Sequence, residues 1–165
     1  MKTALVLTCT MLLAGCASHY VAPTEGPTAT VTFSASGMDP GATILVQDFE
    51  NDSCASSKNG TRLATFTTTA IQGKGDPHDG IARAMLAGRP AVITFFYNDG
   101  SSGYMDASCT ITQAFTPVIG GRYLVQFNKS GHTCRVFVTR QDGEDPAAVT
   151  NLHQIKPACI NGTTG

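Results

Sequence analysis

The clearest fold signal in the chain is the stretch RYLVQFNKSGHTCRVFVTR at residues 122–140. Apolar and polar residues alternate on both sides of residues 128–131, NKSG, which have the composition of a turn. Alternation with a period of two predicts two β-strands, and a turn between them predicts a β-hairpin. One face of this hairpin would carry its apolar residues. They are Tyr123, Val125, Phe127, Cys134, Val136 and Val138.

Similar short runs, separated by turn-forming residues, extend over most of the chain. They favour an all-β fold, an antiparallel β-sandwich of about seven to eight strands, with a small barrel as the alternative. The predicted strands cover residues 30–33, 43–49, 62–69, 91–97, 104–115, 122–128, 133–140 and 149–155. Residues 79–87 leave two interpretations open, a two-turn helix capped by Asp79 or an extended segment.

The composition favours one folded domain and argues against two classes of protein. The chain has 165 residues, of which 42% are hydrophobic, enough for a packed core. Its formal net charge is -1, which argues against a nucleic-acid binder that acts by neutralising phosphates. Only 14% of the residues are charged, which argues against a highly charged disordered protein.

The N-terminus predicts export. Lys2 precedes an apolar run that ends near Ala14, and residues 1–15 together have the pattern of a signal peptide. The run is too short to cross a bilayer as a helix. Its last residues, LAGC at 13–16, resemble the processing box of bacterial lipoproteins. The resemblance implies that Cys16 becomes the first mature residue and carries a diacylglycerol and an acyl chain, with no other cofactor.

The same resemblance implies a location and a membrane partner. Ala17, rather than aspartate, follows the lipid-carrying cysteine, which implies an outer-membrane lipoprotein with its domain in the periplasm. The membrane would be reached through the lipid, and a further envelope protein is expected as a partner. Residues 16–28 contain two prolines and predict a flexible tether. Residues 29–160 would form the sandwich domain and residues 161–165 a frayed tail.

The cysteine count fits an exported protein. Of the six cysteines, Cys9 would leave with the signal peptide and Cys16 would take the lipid. The four that remain predict two disulfides, for which three connectivities exist. The preferred pairs are Cys109 with Cys134 and Cys54 with Cys159.

The hairpin supports the first of these pairs. If Phe127 pairs with His132, then Val125 lies opposite Cys134, and the apolar residues of both strands face the same side. Cys109 has the matching orientation on the preceding strand. Cys134 can therefore meet Cys109 inside the sandwich.

A second resemblance concerns residues 115–127, FTPVIGGRYLVQF. A proline, a glycine and then Tyr-x-Val before a core strand resemble transthyretin-like and carboxypeptidase-regulatory-like β-sandwiches. The resemblance implies a transthyretin-like or immunoglobulin-like sandwich and no particular reaction. The lipoprotein of the type VI secretion system is similar in plan, with a lipid anchor, a tether and a transthyretin-like sandwich.

The sequence offers few candidates for chemistry. Asp76, His78 and Asp79 could supply donors to a metal ion, although a solvated loop in which aspartate caps a turn explains them as well. His132 and His153 have no partner at ligand spacing, and no Gly-x-Ser-x-Gly or His-Glu-x-x-His motif occurs. We therefore predict no catalytic residue and no metal ligand.

The aromatic centre of the sequence is residues 95–97, followed by Tyr104. Strand alternation turns Phe96 away from Phe95 and Tyr97. One of the two faces is then either covered by a second element or exposed as a partner surface, and we favour the covered arrangement.

Three hypotheses for function follow. The leading one is a non-enzymatic, membrane-anchored envelope lipoprotein that acts as a structural or protein-interaction module. The second is a specific periplasmic binder, such as an inhibitor of a cell-wall hydrolase or a secretion adaptor, which would bind through residues 71–80. The third is a metal-dependent enzyme that uses Asp76, His78 and Asp79.

Overall fold

Strands and the turns between them make up the parts of the chain that the structure, a computed structural model, describes. These parts are residues 18–49, 60–68, 78–100, 108–143 and 145–155. The strands are β1 Ser18–His19, β2 Thr28–Ser36, β3 Thr43–Phe49, β4 Thr61–Thr67, β5 His78–Leu86, β6 Ala91–Asn98, β7 Ser108–Phe115, β8 Arg122–Ser130, β9 Thr133–Arg140, β10 Ala147–Ala148 and β11 His153–Ile155. The all-β prediction is confirmed.

The strands form two sheets that are mixed rather than purely antiparallel. One sheet has six strands in the order β1-β4-β3-β6-β7-β11, and the other has five in the order β10-β9-β8-β2-β5. The prediction of an antiparallel arrangement was wrong at two places, because β1 pairs with β4 and β2 pairs with β8 in parallel. An alternating sequence pattern is the same for both directions of pairing, so it could not distinguish them.

The inner faces of the two sheets share one hydrophobic core, which gives a sandwich-like arrangement. Phe95 of β6 lies 6.4 Å from Phe33 of β2 and 5.9 Å from Phe127 of β8, measured between ring centroids. Tyr97 stacks on Phe127 at 5.7 Å. These rings are almost fully buried. Aromatic side chains from both sheets therefore join them at their centre.

Both faces of β6 carry buried side chains. Phe96 points away from the core, as strand alternation predicts, and packs against a small outer cluster that includes Phe49, Val92 and Ala114. On the same outer face the hydroxyls of Thr94 and Thr112 form a buried hydrogen bond of 2.9 Å. Phe95 and Tyr97 are therefore buried in the core, and Phe96 is half-buried on the outer face of the same sheet. Tyr104 lies outside the described residues.

The β8–β9 hairpin forms, but with a different register. The predicted pairing of Phe127 with His132 was wrong, because Phe127 pairs with Val136, four residues further along β9. Both strands extend to a two-residue turn that begins with Gly131, whose φ of 60° suits the first position of such a turn. A shift of four residues preserves the parity, so every side chain keeps its predicted face.

Residues 79–87 belong to β5 up to Leu86, so the extended interpretation is correct and the helix was wrong. β5 is the edge strand beside β2, with Ile81 opposite Phe33 and Met85 opposite Ala29. Alternate residues of β5 thus contribute to the core. Pairing with β2 satisfies the backbone groups that a short two-turn helix would leave without partners.

A disulfide joins the two sheets at one lateral side. Cys109 of β7 belongs to the six-stranded sheet and Cys134 of β9 to the five-stranded sheet, with 6.4 Å between their Cα atoms. Both side chains pack against the shared core. This predicted pair is confirmed.

Candidate functional site

A buried ion pair with a tyrosine lies at the end of the sheets where β8 and β9 are joined. Lys129 Nζ lies 2.6 Å from Asp39 Oδ2 and donates a hydrogen bond of 2.8 Å to the carbonyl oxygen of Gly131. The Tyr97 hydroxyl donates to the same Asp39 oxygen at 2.8 Å. The Lys129 side chain is 5% exposed and that of Asp39 is 26% exposed. We call Asp39, Tyr97 and Lys129 the Asp39 cluster.

The local fold explains why a lysine is buried here. Val125 and Phe127 point into the core, so Lys129, the next residue of the same parity in β8, points inward as well. Gly37 brings the segment that carries Asp39 against β8, with a φ of 71°. A Cβ atom at position 37 would lie 1.9 Å from the Lys129 carbonyl oxygen, so this approach requires glycine.

The Tyr97 hydroxyl of the Asp39 cluster keeps its proton. Burial is the main reason that the pKa of the Tyr97 hydroxyl lies well above its ordinary value, and the hydrogen bond to Asp39 raises that pKa further. Tyr97 therefore stays protonated at neutral pH and acts as a donor. The Asp39 carboxylate accepts from both Tyr97 and Lys129. The arrangement holds the two sheets together at this end, since Tyr97 and Lys129 belong to different sheets.

The raised pKa of Tyr97 predicts a loss of stability at alkaline pH. Above about pH 10 an unfolded tyrosine releases its proton, whereas folded Tyr97 keeps it, so the unfolded state binds fewer protons. We expect Tyr97 to make the free energy of unfolding fall by about 1.4 kcal/mol per pH unit above that point. Urea unfolding of the wild type and of Tyr97→Phe between pH 8 and about 11 measures this. The variant has no hydroxyl group at position 97, so its free energy of unfolding should fall less steeply with pH. Equal slopes in the two proteins would contradict the prediction.

The N-terminal segment crosses from one sheet to the other at the lateral side opposite the disulfide. β1 pairs with the beginning of β4, at the edge of the six-stranded sheet. The Tyr20 hydroxyl then accepts a hydrogen bond of 3.0 Å from the Ala84 amide and donates one of 2.9 Å to the Ala84 carbonyl, in β5. Tyr20 therefore satisfies backbone groups at the edge of the five-stranded sheet, which an edge strand otherwise leaves unpaired.

Arg83 completes the same connection. Its Nε donates a hydrogen bond of 2.7 Å to the carbonyl oxygen of Leu63 in β4, and its guanidinium carbon lies 4.9 Å from the ring centroid of Tyr20. A guanidinium over an aromatic face at this distance is a favourable cation–π contact. We call Tyr20 and Arg83 the N-terminal clasp. Tyr20 lies within the segment for which the sequence predicts a flexible tether, residues 16–28, and its partners lie in β5.

Tyr20→Phe is expected to loosen this edge without unfolding the protein. The exchange keeps the ring over Arg83 but removes both hydrogen bonds to Ala84, which we expect to lower the free energy of unfolding by about 1 kcal/mol. The Ala84 amide should then exchange its hydrogen faster than in the wild type. Hydrogen–deuterium exchange read residue by residue checks this, with the β8 amides as the internal control. Unchanged exchange at Ala84 would contradict the role of the clasp.

A small cleft lies beside the clasp. It has a volume of about 130 Å³ and is lined by residues of the N-terminal segment, β4, β5 and the β5–β6 turn, among them Val21, Pro23, Thr61, Leu86 and Arg89. Sites for drug-sized ligands usually have about 300–1,000 Å³. The cleft is therefore too small for such a ligand.

Several of the predicted site residues cannot be placed. Cys16, Cys54, Cys159 and Asp76 lie outside the described residues. His78 and Asp79 begin β5, where His78 pairs with Ala35, and their side chains also lie outside the description. Most of residues 71–80, the predicted binding loop, lies outside it too. The metal-site and binding-loop hypotheses therefore stay predictions.

The described ranges show no group of three or more histidine, cysteine, aspartate or glutamate side chains arranged to hold a metal ion. Within the same ranges, no helix has the length and apolarity needed to cross a membrane. His132 and His153 are both exposed. His132 lies in the β8–β9 turn of the five-stranded sheet, and His153 lies in β11 of the six-stranded sheet. The structure does not bring them together.

The comparisons with known proteins add no family. No protein-family description matches the sequence, and no curated protein matches it.

Sequence reasoning missed both the Asp39 cluster and the N-terminal clasp. For Lys129 a signal was present, because it continues the inward parity of Val125 and Phe127. For Tyr20 the signal was weak, because it stands next to a segment rich in proline, glycine and threonine. Its partner Ala84 is 64 positions away.

Proposed function

We propose that this chain is an outer-membrane lipoprotein of the bacterial cell envelope, anchored through lipid on Cys16. Its domain is proposed to be a β-sandwich of the transthyretin-like type that serves as a structural or protein-interaction module and not as an enzyme. The expected partners are the membrane and an envelope protein. The stretch LAGC at residues 13–16 supports the anchor.

The observation that carries the proposal is the disulfide between Cys109 and Cys134. Disulfides of this structural kind persist in oxidising compartments such as the periplasm and are rare in the cytosol. The predicted export signal and the disulfide therefore support the same location. The shared core of the two sheets supports the sandwich.

The buried polar groups support a structural role. Lys129 and Tyr97 are almost fully buried and both donate to Asp39, so their polar groups are used within the fold. Arg83 and Tyr20 are likewise engaged in contacts between the two sheets. In the described parts of the chain, these side chains are placed to join the sheets.

Intact mass of the native protein, extracted from membranes, tests the proposal. We expect a mass that begins at Cys16, increased by acyl groups, with the other cysteines open to alkylation only after reduction. Cys16→Ser should lose the added mass and the membrane association while keeping the disulfide between Cys109 and Cys134. A wild-type chain without acyl groups, or with freely reactive thiols before reduction, would contradict the proposal.

A further inference from the structure

We propose that the end of the domain formed by the exposed residues Val21, Arg89, Val118 and Ile119 lies on the lipid bilayer and contacts its anionic headgroups. We call these four residues the basal surface. The inference rests on the proposed function, because it takes Cys16 to be lipidated. It adds a fixed orientation of the domain, which a flexible tether would not give.

The chain leaves no room for a long tether. Ser18 is held in β1, opposite Thr61, and the hydroxyls of these two residues lie 3.0 Å apart. Only Ala17 separates Ser18 from Cys16 in the sequence. Consecutive Cα atoms are about 3.8 Å apart, so the Cα atom of Cys16 lies within about 8 Å of that of Ser18. A lipid on Cys16 would therefore hold this edge of the domain at the membrane.

The basal surface is adjacent to the edge that carries Ser18. Val21 and Arg89 line the same small cleft as Thr61, the residue opposite Ser18. The turn that contains Arg89 is bonded to the turn that contains Val118 and Ile119, because the Gly88 amide donates to the Pro117 carbonyl at 2.9 Å. The turns at this end thus form one continuous surface.

Exposed apolar side chains concentrate on this surface. Among the residues that the structure describes, the large hydrophobic side chains that are exposed are Val21 at 79%, Ile119 at 73%, Phe137 at 48% and Val118 at 42%. All except Phe137 belong to the basal surface. Single exposed apolar residues are common on soluble proteins, but three at the end nearest to a lipid anchor fit the interface between headgroups and acyl chains.

The charges at this end suit a phospholipid surface. Arg89 is exposed between the apolar residues, and Arg62 is exposed beside β1. A guanidinium group matches the geometry of a phosphate oxygen pair and binds anionic lipid headgroups. Two acidic residues lie at this end as well: Asp48 lines the same cleft and accepts a hydrogen bond of 3.2 Å from the Val92 amide, and Glu25 lies in the turn before β2.

The absence of tryptophan from the chain makes a sensitive test possible. In Ile119→Trp the introduced indole is the only one and reports from the basal surface. Phe137→Trp is the matched control, because Phe137 is similarly exposed but lies on the outer face of β9. It pairs with Gln126, four residues from the start of β8, which corresponds to about 13 Å along the strand. Val21→Trp provides a second probe of the basal surface.

The native lipidated variants are reconstituted into vesicles of phosphatidylethanolamine and phosphatidylglycerol that carry bromine on their acyl chains. We expect roughly threefold stronger quenching of the indole in Ile119→Trp and Val21→Trp than in Phe137→Trp, because interfacial segments enter about 5–10 Å into the headgroup boundary. Equal quenching at all three positions, in protein shown by mass to be lipidated, would overturn the inference and leave the proposed function intact. A chain without acyl groups would overturn both, and the mass spectrum distinguishes the two failures.

Discussion

Asp39→Ala is expected to lower the free energy of unfolding by about 3–5 kcal/mol, because it leaves a buried ammonium group without its counterion. The Lys129 side chain is only 5% exposed, so its ammonium group is poorly hydrated once the carboxylate is removed. Tyr97 would lose the acceptor of its hydroxyl group in the same exchange. Urea unfolding at neutral pH measures the loss.

Removing the lysine instead of the aspartate should lower the free energy of unfolding by less. Lys129→Met leaves the Asp39 carboxylate 26% exposed and still bonded to Tyr97, so we expect a loss of about 1–2 kcal/mol. Combining Asp39→Asn with Lys129→Met removes both charges and should be more stable than Asp39→Ala alone. If Lys129→Met proved as damaging as Asp39→Ala, or the double variant the least stable of the three, burial of the unpaired ammonium would not be the cause.

Removal of the disulfide by Cys109→Ala together with Cys134→Ala should lower the free energy of unfolding by about 3–4 kcal/mol. The bridge closes a segment of 25 residues, and closing such a segment limits the conformations of the unfolded chain. It also holds β7 against β9, at the lateral side opposite the N-terminal clasp. Urea unfolding of the double variant and of the oxidised wild type checks this.

A matched control separates the covalent bond from packing. The control is made in a variant with Cys54→Ala and Cys159→Ala, so that reduction can break only the bond between Cys109 and Cys134. Its reduced form keeps both sulfur atoms of that bond, so it should lose nearly as much stability as the double variant if the loss comes from the unfolded chain. The double variant should also show a larger dependence on urea concentration, because its unfolded state is more expanded. An unchanged urea midpoint in both proteins would contradict the prediction.

The sequence alone predicted those elements whose signal is local. β3 was predicted at residues 43–49, as the structure has it. A β-branched and apolar run between turn residues is enough to predict a strand. The bond between Cys109 and Cys134 followed from strand parity, which a wrong register shifted by four residues did not alter. The alternation of side chains therefore predicted which residues face the core more reliably than it predicted which residues pair.

The remaining features depend on residues far apart in the chain. Lys129 was assigned to a turn, because residues 128–131 have the composition of a turn. It stays in β8 because its charge is satisfied by Asp39, 90 positions earlier. Tyr20 was placed in a tether because prolines follow it, but its hydroxyl bonds to Ala84. No local pattern specifies such a partner.

The parallel pairing of β2 with β8 has a consequence for the order of folding. Ser36 and Asn128 are neighbours in the sheet, although 92 positions separate them in the chain. β2 is flanked by β8 on one side and β5 on the other, so the five-stranded sheet cannot assemble around it until residues up to about 130 are present. Folds dominated by such non-local contacts fold slowly, in milliseconds to seconds, because the entropy of closing a long loop is lost before the contacts form. During synthesis or export, the edge of β2 that pairs with β8 therefore remains without its partner strand until most of the chain has emerged.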